Sequence, residues 1–179
     1  FQTAKAGTTF ISEPYISKLD KSLCITVSVP VHDDGKNVIG VLILDIKGEW
    51  FSEQIKDIVV GKTGNCYIMG DSGNIVGNKD ISLVKSQVSI IEQAKTDKSL
   101  ASTAAYLEHV WDTDESEVGY YTYKGESYIS SFATMKTTDW SVIIRAPVNE
   151  FMGTVNALSL SMLIISIIIL AAAVTVVFF

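Results

Sequence analysis

Apolar and polar positions change rhythm several times along the chain, and each change predicts a new element. Thr9–Ile16 reads as a strand, ended by the turn formers Ser17-Lys18-Leu19-Asp20. Ser22–Val31 alternates, with Ile25, Val27, Val29 and Val31 on one face and Cys24, Thr26 and Ser28 on the other. The turn Asp33-Asp34-Gly35-Lys36-Asn37 leads into Val38–Ile46, a nearly continuous apolar strand. The period then changes: Phe51, Ile55, Ile58 and Val59 form one helical stripe, broken by Gly61-Lys62-Thr63-Gly64.

A second unit follows. Cys66–Met69 and Ile75–Val76 flank Gly70-Asp71-Ser72-Gly73-Asn74, which predicts a hairpin. Residues 82–110 are helical in composition, and the acidic run Asp112–Glu117 reads as a solvated loop. Gly119–Tyr123, Tyr128–Ala133 and Trp140–Ala146 predict three more strands, with Pro147 closing the last because it cannot donate to a ladder. The expected fold is α+β: two small antiparallel sheets in series, then a long apolar helix.

Charge sharpens that picture. All 14 basic and 20 acidic residues precede Phe151, and the net charge is -6. Ala157–Phe179 is interrupted only by Ser159, Ser161, Ser166 and Thr175. As a helix this run extends about 34 Å, enough for a hydrocarbon core of about 30 Å. A membrane is therefore an expected partner, and a freely soluble cytoplasmic enzyme or a cleavable signal peptide is not expected. Because the chain opens at Phe1 without an initiator Met and stops inside the apolar run, it is expected to be an internal piece of a longer membrane protein. One arginine, Arg145, and an acidic balance argue against nucleic acid as a partner. Cys24 and Cys66 sit in separate apolar segments and read as two small buried thiols.

Three stretches imitate catalytic or cofactor signatures and fail on context. Gly70-Asp71-Ser72-Gly73 matches the surroundings of a protease nucleophile, but it falls where a hairpin turn is expected, with only His32 upstream. Gly61-Lys62-Thr63 resembles the end of a phosphate-binding loop, yet Lys56 stands where the leading Gly belongs. His32 and His109 lack metal-ligand spacing. No enzyme, metal or cofactor is expected.

Asp45 is the unusual residue. It ends an apolar strand on the face of Val41 and Ile43, where a carboxylate must be solvated, paired or used. It either caps a helix starting near Gly48 or anchors a cationic ligand group; the residues alone leave both open. Tyr15, after Glu13-Pro14, either packs in the core or points its hydroxyl into a cavity.

Phe1-Gln2, Phe10-Ile11-Ser12-Glu13-Pro14-Tyr15, Ile25–Val31 and Gly40–Ile46 together resemble the distal half of a double Cache (dCache) sensor domain. Gly61–Ile68, Asp71–Ile75 and Thr138–Ile144 resemble its membrane-proximal module. The resemblance implies two PAS-like modules in series, the first incomplete: 1–47 distal, 48–60 a linking helix, 61–150 proximal, and 151–179 a transmembrane helix. It implies an extracytoplasmic sensor in the cell membrane, most like a methyl-accepting chemotaxis protein, homodimeric and coupled to cytoplasmic signalling partners. A histidine kinase or cyclic-dinucleotide enzyme could carry the same sensor region. It further implies that an amino acid or amine binds, with Tyr15 and Asp45 holding the ammonium and Phe1 standing as the aromatic of the upstream motif. The rivals are a membrane-tethered protease at Ser72 and an adhesive ectodomain without a ligand.

Overall fold

The computed structural model describes residues 1–113 and 115–178; Asp114, within the acidic run, and Phe179, at the end of the apolar one, lie outside them. Two antiparallel sheets follow one another in the sequence, as expected.

The first sheet is organised by a long hairpin, β3 (Leu23–His32) against β4 (Val38–Lys47). Its turn is held by Asp33, whose carboxylate accepts from the Asn37 backbone N–H at 2.8 Å, with Lys36 in the left-handed region. A short helix, α1 (Gln2–Lys5), lies against both strands with Ala4 fully buried. The predicted strand Thr9–Ile16 is split into β1 (Phe10–Ile11) and β2 (Tyr15–Ile16), both paired to the free edge of β3. The interruption has a local cause. The Ser12 hydroxyl accepts from the Thr26 N–H at 2.9 Å in place of a backbone carbonyl, and Pro14 has no N–H to give.

The linking helix is shorter than the apolar stripe predicts. It covers Trp50–Ile55 (α2), while Val59–Val60 forms a strand, β5, against β6 (Gly64–Met69). Pairing with an available sheet edge overrides the helical period there. Gly48, just before α2, donates to the Leu23 carbonyl at 2.9 Å. A Cβ on Gly48 would lie 2.8 Å from the Leu23 backbone carbon, so this close approach needs glycine.

The second sheet has the spatial order β7 (Ile75–Asn78), β6, β10 (Ser141–Pro147), β9 (Glu126–Thr134), β8 (Val118–Tyr123), with β5 beside β7 on the same edge of β6. Between β7 and β8 the predicted helical stretch divides into α3 (Ile81–Ser86), α4 (Ile90–Ala94), a 3-10 turn at Lys98–Leu100 and α5 (Ala101–Asp112). Asp80 caps α3 by accepting from the Ser82 N–H at 3.0 Å, and Gln87 ends it in the left-handed conformation.

One face of this sheet packs Tyr67, Met69, Tyr121, Phe132 and Ile143 against Val84, Ile91, Leu107 and Val110 of the helices. The opposite face packs Cys66, Ile68, Val76 and Trp140 against Ile55 and Phe51 of α2, with Ile11 of the first sheet alongside. Leu23 joins the helix-side core, so the two sheets share buried surface. Cys66 is buried as expected, whereas Cys24 is half-buried; both are free thiols. From Pro147 the chain continues as α6 (Val148–Phe178), a single helix of 31 residues.

Candidate functional site

Three adjacent strands of the first sheet bring Tyr15, Thr26 and Asp45 together. Tyr15 pairs with Cys24, and Thr26 pairs with Asp45, so by the strand period all three side chains share one face. The Thr26 hydroxyl donates to Asp45 Oδ1 at 2.6 Å. Its single proton is thereby used, so Tyr15, whose hydroxyl lies 2.8 Å from Thr26 Oγ1, is the donor to threonine. The result is a relay, Tyr15 to Thr26 to Asp45, that orients the carboxylate and leaves Asp45 Oδ2 without a hydrogen bond among the described residues.

A register shift creates this alignment. Val31 pairs with Gly40 but His32 pairs with Val38, so Ile39 is an extra residue in β4. Had the pairing at the turn continued one to one, Asp45 would oppose Ile25 and face the other side of the sheet. The bulge is therefore what sets a carboxylate beside a threonine.

Asp45 lies in the wall of an open cleft of about 750 Å³ between the end of the first hairpin and the helices below it. The cleft carries both signs of charge, Asp45, Glu49 and Glu53 against Lys21, Lys47 and Lys85, with Lys85 and Glu49 paired at 3.7 Å. The helix-cap role for Asp45 is not what the structure shows. Glu49 precedes α2, no side chain caps it, and Asp45 is inside β4. Of the three predicted site residues only Asp45 lines the cleft: Tyr15 is linked to it through Thr26, and Phe1 stands apart, 59% exposed ahead of α1.

The Gly70–Gly73 turn has a structural use. Ser72 donates from its backbone N–H (2.7 Å) and its hydroxyl (2.5 Å) to the Glu13 carboxylate. One residue on, the Pro14 carbonyl accepts from Gln87 Nε2 at 2.7 Å. Tyr15 therefore sits at the end of a strap, Glu13-Pro14, that the second unit grips at two points. Neither Thr26 nor this grip was singled out from the sequence. Thr26 carried a signal, since it alternates onto the face of Cys24 and Ser28, but its partner depends on the bulge.

The dCache_1 family model, a Cache domain, matches residues 1–155. Methyl-accepting chemotaxis protein TlpA of Bacillus subtilis (strain 168) is 24% identical over 176 residues, which is 98% of this chain and 24% of that protein. The ligand-binding domain of the Pseudomonas fluorescens chemoreceptor CtaA in complex with L-leucine is similar with a TM-score of 0.59 at 19% identity, over 84% of this chain and 58% of that one. That of the Pseudomonas aeruginosa PAO1 amino acid chemoreceptor PctB in complex with L-arginine gives 0.57 at 19% identity, over 84% and 59%. This chain thus spans about a quarter of the Bacillus relative and under three fifths of each solved chain. At such identities the superpositions show a shared fold.

Proposed function

Since this chain belongs to the double Cache family of Cache domains, we propose that it is the extracytoplasmic sensor region of a transmembrane receptor, binding an amino acid or amine at Asp45 and Tyr15. The observation that carries the reading is the Tyr15–Thr26–Asp45 relay, which presents an oriented carboxylate oxygen to an open cleft. An ammonium group supplies the three donors and the positive charge that such an oxygen accepts. The mixed charges of the cleft suit a zwitterion, with a lysine such as Lys47 available to its carboxylate. Similar proteins of this fold were solved with L-leucine and L-arginine.

In this reading residues 1–47 are the C-terminal part of a membrane-distal module, 48–60 the connection, and 61–150 a membrane-proximal PAS-like module. Residues 151–179 cross the membrane, supported by Val148–Leu170, whose most apolar 18 residues have a mean hydropathy of 2.1. The receptor works as a homodimer of the methyl-accepting chemotaxis type and hands its signal to cytoplasmic partners. Binding would shift the balance between two arrangements of the modules, and α6 would carry that difference across.

Calorimetric titration of the receptor in detergent micelles with single amino acids and amines tests this. A saturating ligand whose binding is lost in Asp45→Asn supports it; no ligand, or unchanged binding in that variant, overturns it.

A further inference from the structure

The second unit holds a site of its own, apart from Asp45. Arg145, the sole arginine of the chain, projects from β10 toward the helical layer rather than into solvent. Its guanidinium lies over the rings of Tyr128, Tyr123 and Tyr67, at 4.9, 5.2 and 5.4 Å from their centroids. Its Nε donates to Asn65 Oδ1 at 2.9 Å and its Nη1 to the Tyr121 hydroxyl at 3.3 Å. No carboxylate forms an ion pair with it among the described residues. In a chain with 20 acidic residues, a half-buried guanidinium ringed by neutral groups is an unusual placement. Buried cations are ordinarily matched by a counter-charge, and tyrosine faces supply part of that compensation.

A small cavity adjoins it. About 60 Å³ of space lies between the sheet and helices α3 and α4, walled by Arg145, Tyr67, Tyr123, Asn78, Leu83 and Gln93. Asn78 is 4% exposed, and its Oδ1 accepts from the Asp80 N–H at 2.9 Å. That bond fixes the amide orientation, and its Nδ2 donates to nothing among the described residues. The Ser86 hydroxyl at the rim is already spent on the Leu83 carbonyl at 2.8 Å. Among the cavity-lining side chains, the polar groups without a partner among the described residues include the remaining guanidinium N–H groups, the Asn78 Nδ2 and the Gln93 amide, which can turn its N–H groups inward.

We propose that this cavity is a second ligand site, which takes a small monocarboxylate of the size of formate or acetate. The fork of a guanidinium matches a carboxylate with two parallel bonds, and the Asn78 amide adds a third donor. Size sets the upper limit. One water needs roughly 10–15 Å³ of such space, so only a few heavy atoms fit, whereas an amino acid with a long side chain does not. Leu83 and Ser86 belong to α3, and the next residue, Gln87, holds the Pro14 carbonyl. An occupant would therefore rest against the helix that leads into the strap ending at Tyr15.

Acetate is the probe, titrated into the full chain in detergent micelles at constant ionic strength, with acetamide as its neutral isostere and chloride as a plain anion. Binding is read by calorimetry and by the melting temperature. Acetate should bind saturably and raise Tm by about 3 °C or more, as about 1 kcal/mol of ligand stabilisation does in a chain of this size. Acetamide and chloride should not. Arg145→Met should weaken acetate at least tenfold. Should that variant fail to fold, Ser86→Phe, which closes the rim from an exposed position, should abolish the response on its own. Asp45→Asn should leave acetate binding intact, which separates this site from the amine-binding one. No acetate binding overturns the proposal, as does an equal response to acetamide or chloride. Persistence in Ser86→Phe or loss in Asp45→Asn also overturns it.

Discussion

Among the described residues the Asp45 side chain receives one hydrogen bond, from a threonine on the neighbouring strand, and that threonine is itself held by Tyr15. The three residues should respond differently to substitution. Asp45 is exposed in the unliganded chain; Asp45→Asn keeps the shape and removes the charge, and losing one member of a charge pair that the bound ligand desolvates costs about 2–5 kcal/mol of binding, roughly thirtyfold to several thousandfold. Thr26→Val deletes the bond to the carboxylate and should cost less, about 1.5–3 kcal/mol, while Tyr15→Phe deletes a bond to a neutral hydroxyl and should cost least, about 0.5–1.5 kcal/mol. Titration calorimetry beside a melt of each unliganded variant measures this. Equal losses in all three, or lost folding, would argue against an ordered relay. A different carboxylate marks the entry to β3. Asp20 accepts from Ser22 Oγ (2.7 Å) and the Ser22 N–H (3.1 Å). The Ser22 hydroxyl foremost, then that of Ser17, lowers its pKa to about 2. Since the folded value lies below the unfolded one, ionised Asp20 favours the folded state above about pH 4 and loses that effect as pH falls toward 2. Carboxyl NMR should show a midpoint near 2, moving back toward 3.8 in Ser22→Ala.

At the scale of elements, much was legible because it is local. The hairpin at Gly70–Asn74, the strand β3 and the stop at Pro147 follow from turn chemistry and period, and the structure has them, although burial in β3 does not follow its alternation: Ser28 is buried while Val29 and Val31 are exposed. What escaped depends on partners distant in sequence. Val59–Val60 continues a helical stripe by period but is captured by the edge of β6. Asp45 and Tyr15 stood out as residues, whereas the bulge at Ile39 that aligns Asp45 with Thr26 had no marker in an apolar run. Glu13 and Ser72 are 59 positions apart, and nothing local announces their bond. That bond makes the strap testable. A Cβ on Gly70 would collide with the Glu13 carboxylate, so the turn is shaped to admit it. In a double-mutant cycle of Glu13→Gln and Ser72→Ala, the two changes should be non-additive by about 0.5–3 kcal/mol in unfolding free energy, as for residues in direct contact. Additive losses would mean that the grip contributes nothing specific.

The whole molecule places its polar and apolar parts at opposite ends. No charged residue follows Glu150, which stands in the first turn of α6. Glu150 accepts from the backbone N–H groups of Lys62 (2.5 Å) and Thr63 (2.9 Å), and from the Thr63 hydroxyl. The turn between β5 and β6 is thus fastened to the start of the helix, so a displacement of the second sheet reaches α6 through bonds as well as through the chain. The helix is long enough for both duties. Its 31 residues extend about 46 Å at about 1.5 Å each, against a hydrocarbon core of about 30 Å. In the proposed receptor the first turns would remain with the sheet while the apolar residues beyond them span the bilayer. Ile167, near the middle of the apolar run Ala157–Phe179, is 58% exposed, and the described residues do not cover it. Ile167→Arg should therefore cost about 2.5–3.5 kcal/mol of insertion free energy. In a glycosylation-mapping insertion assay the inserted fraction should fall visibly, while Met152→Arg, near the start of the helix, should have a much smaller effect because its side chain can reach the interface. Equal insertion of Ile167→Arg and the unaltered chain would show that α6 is not the membrane span.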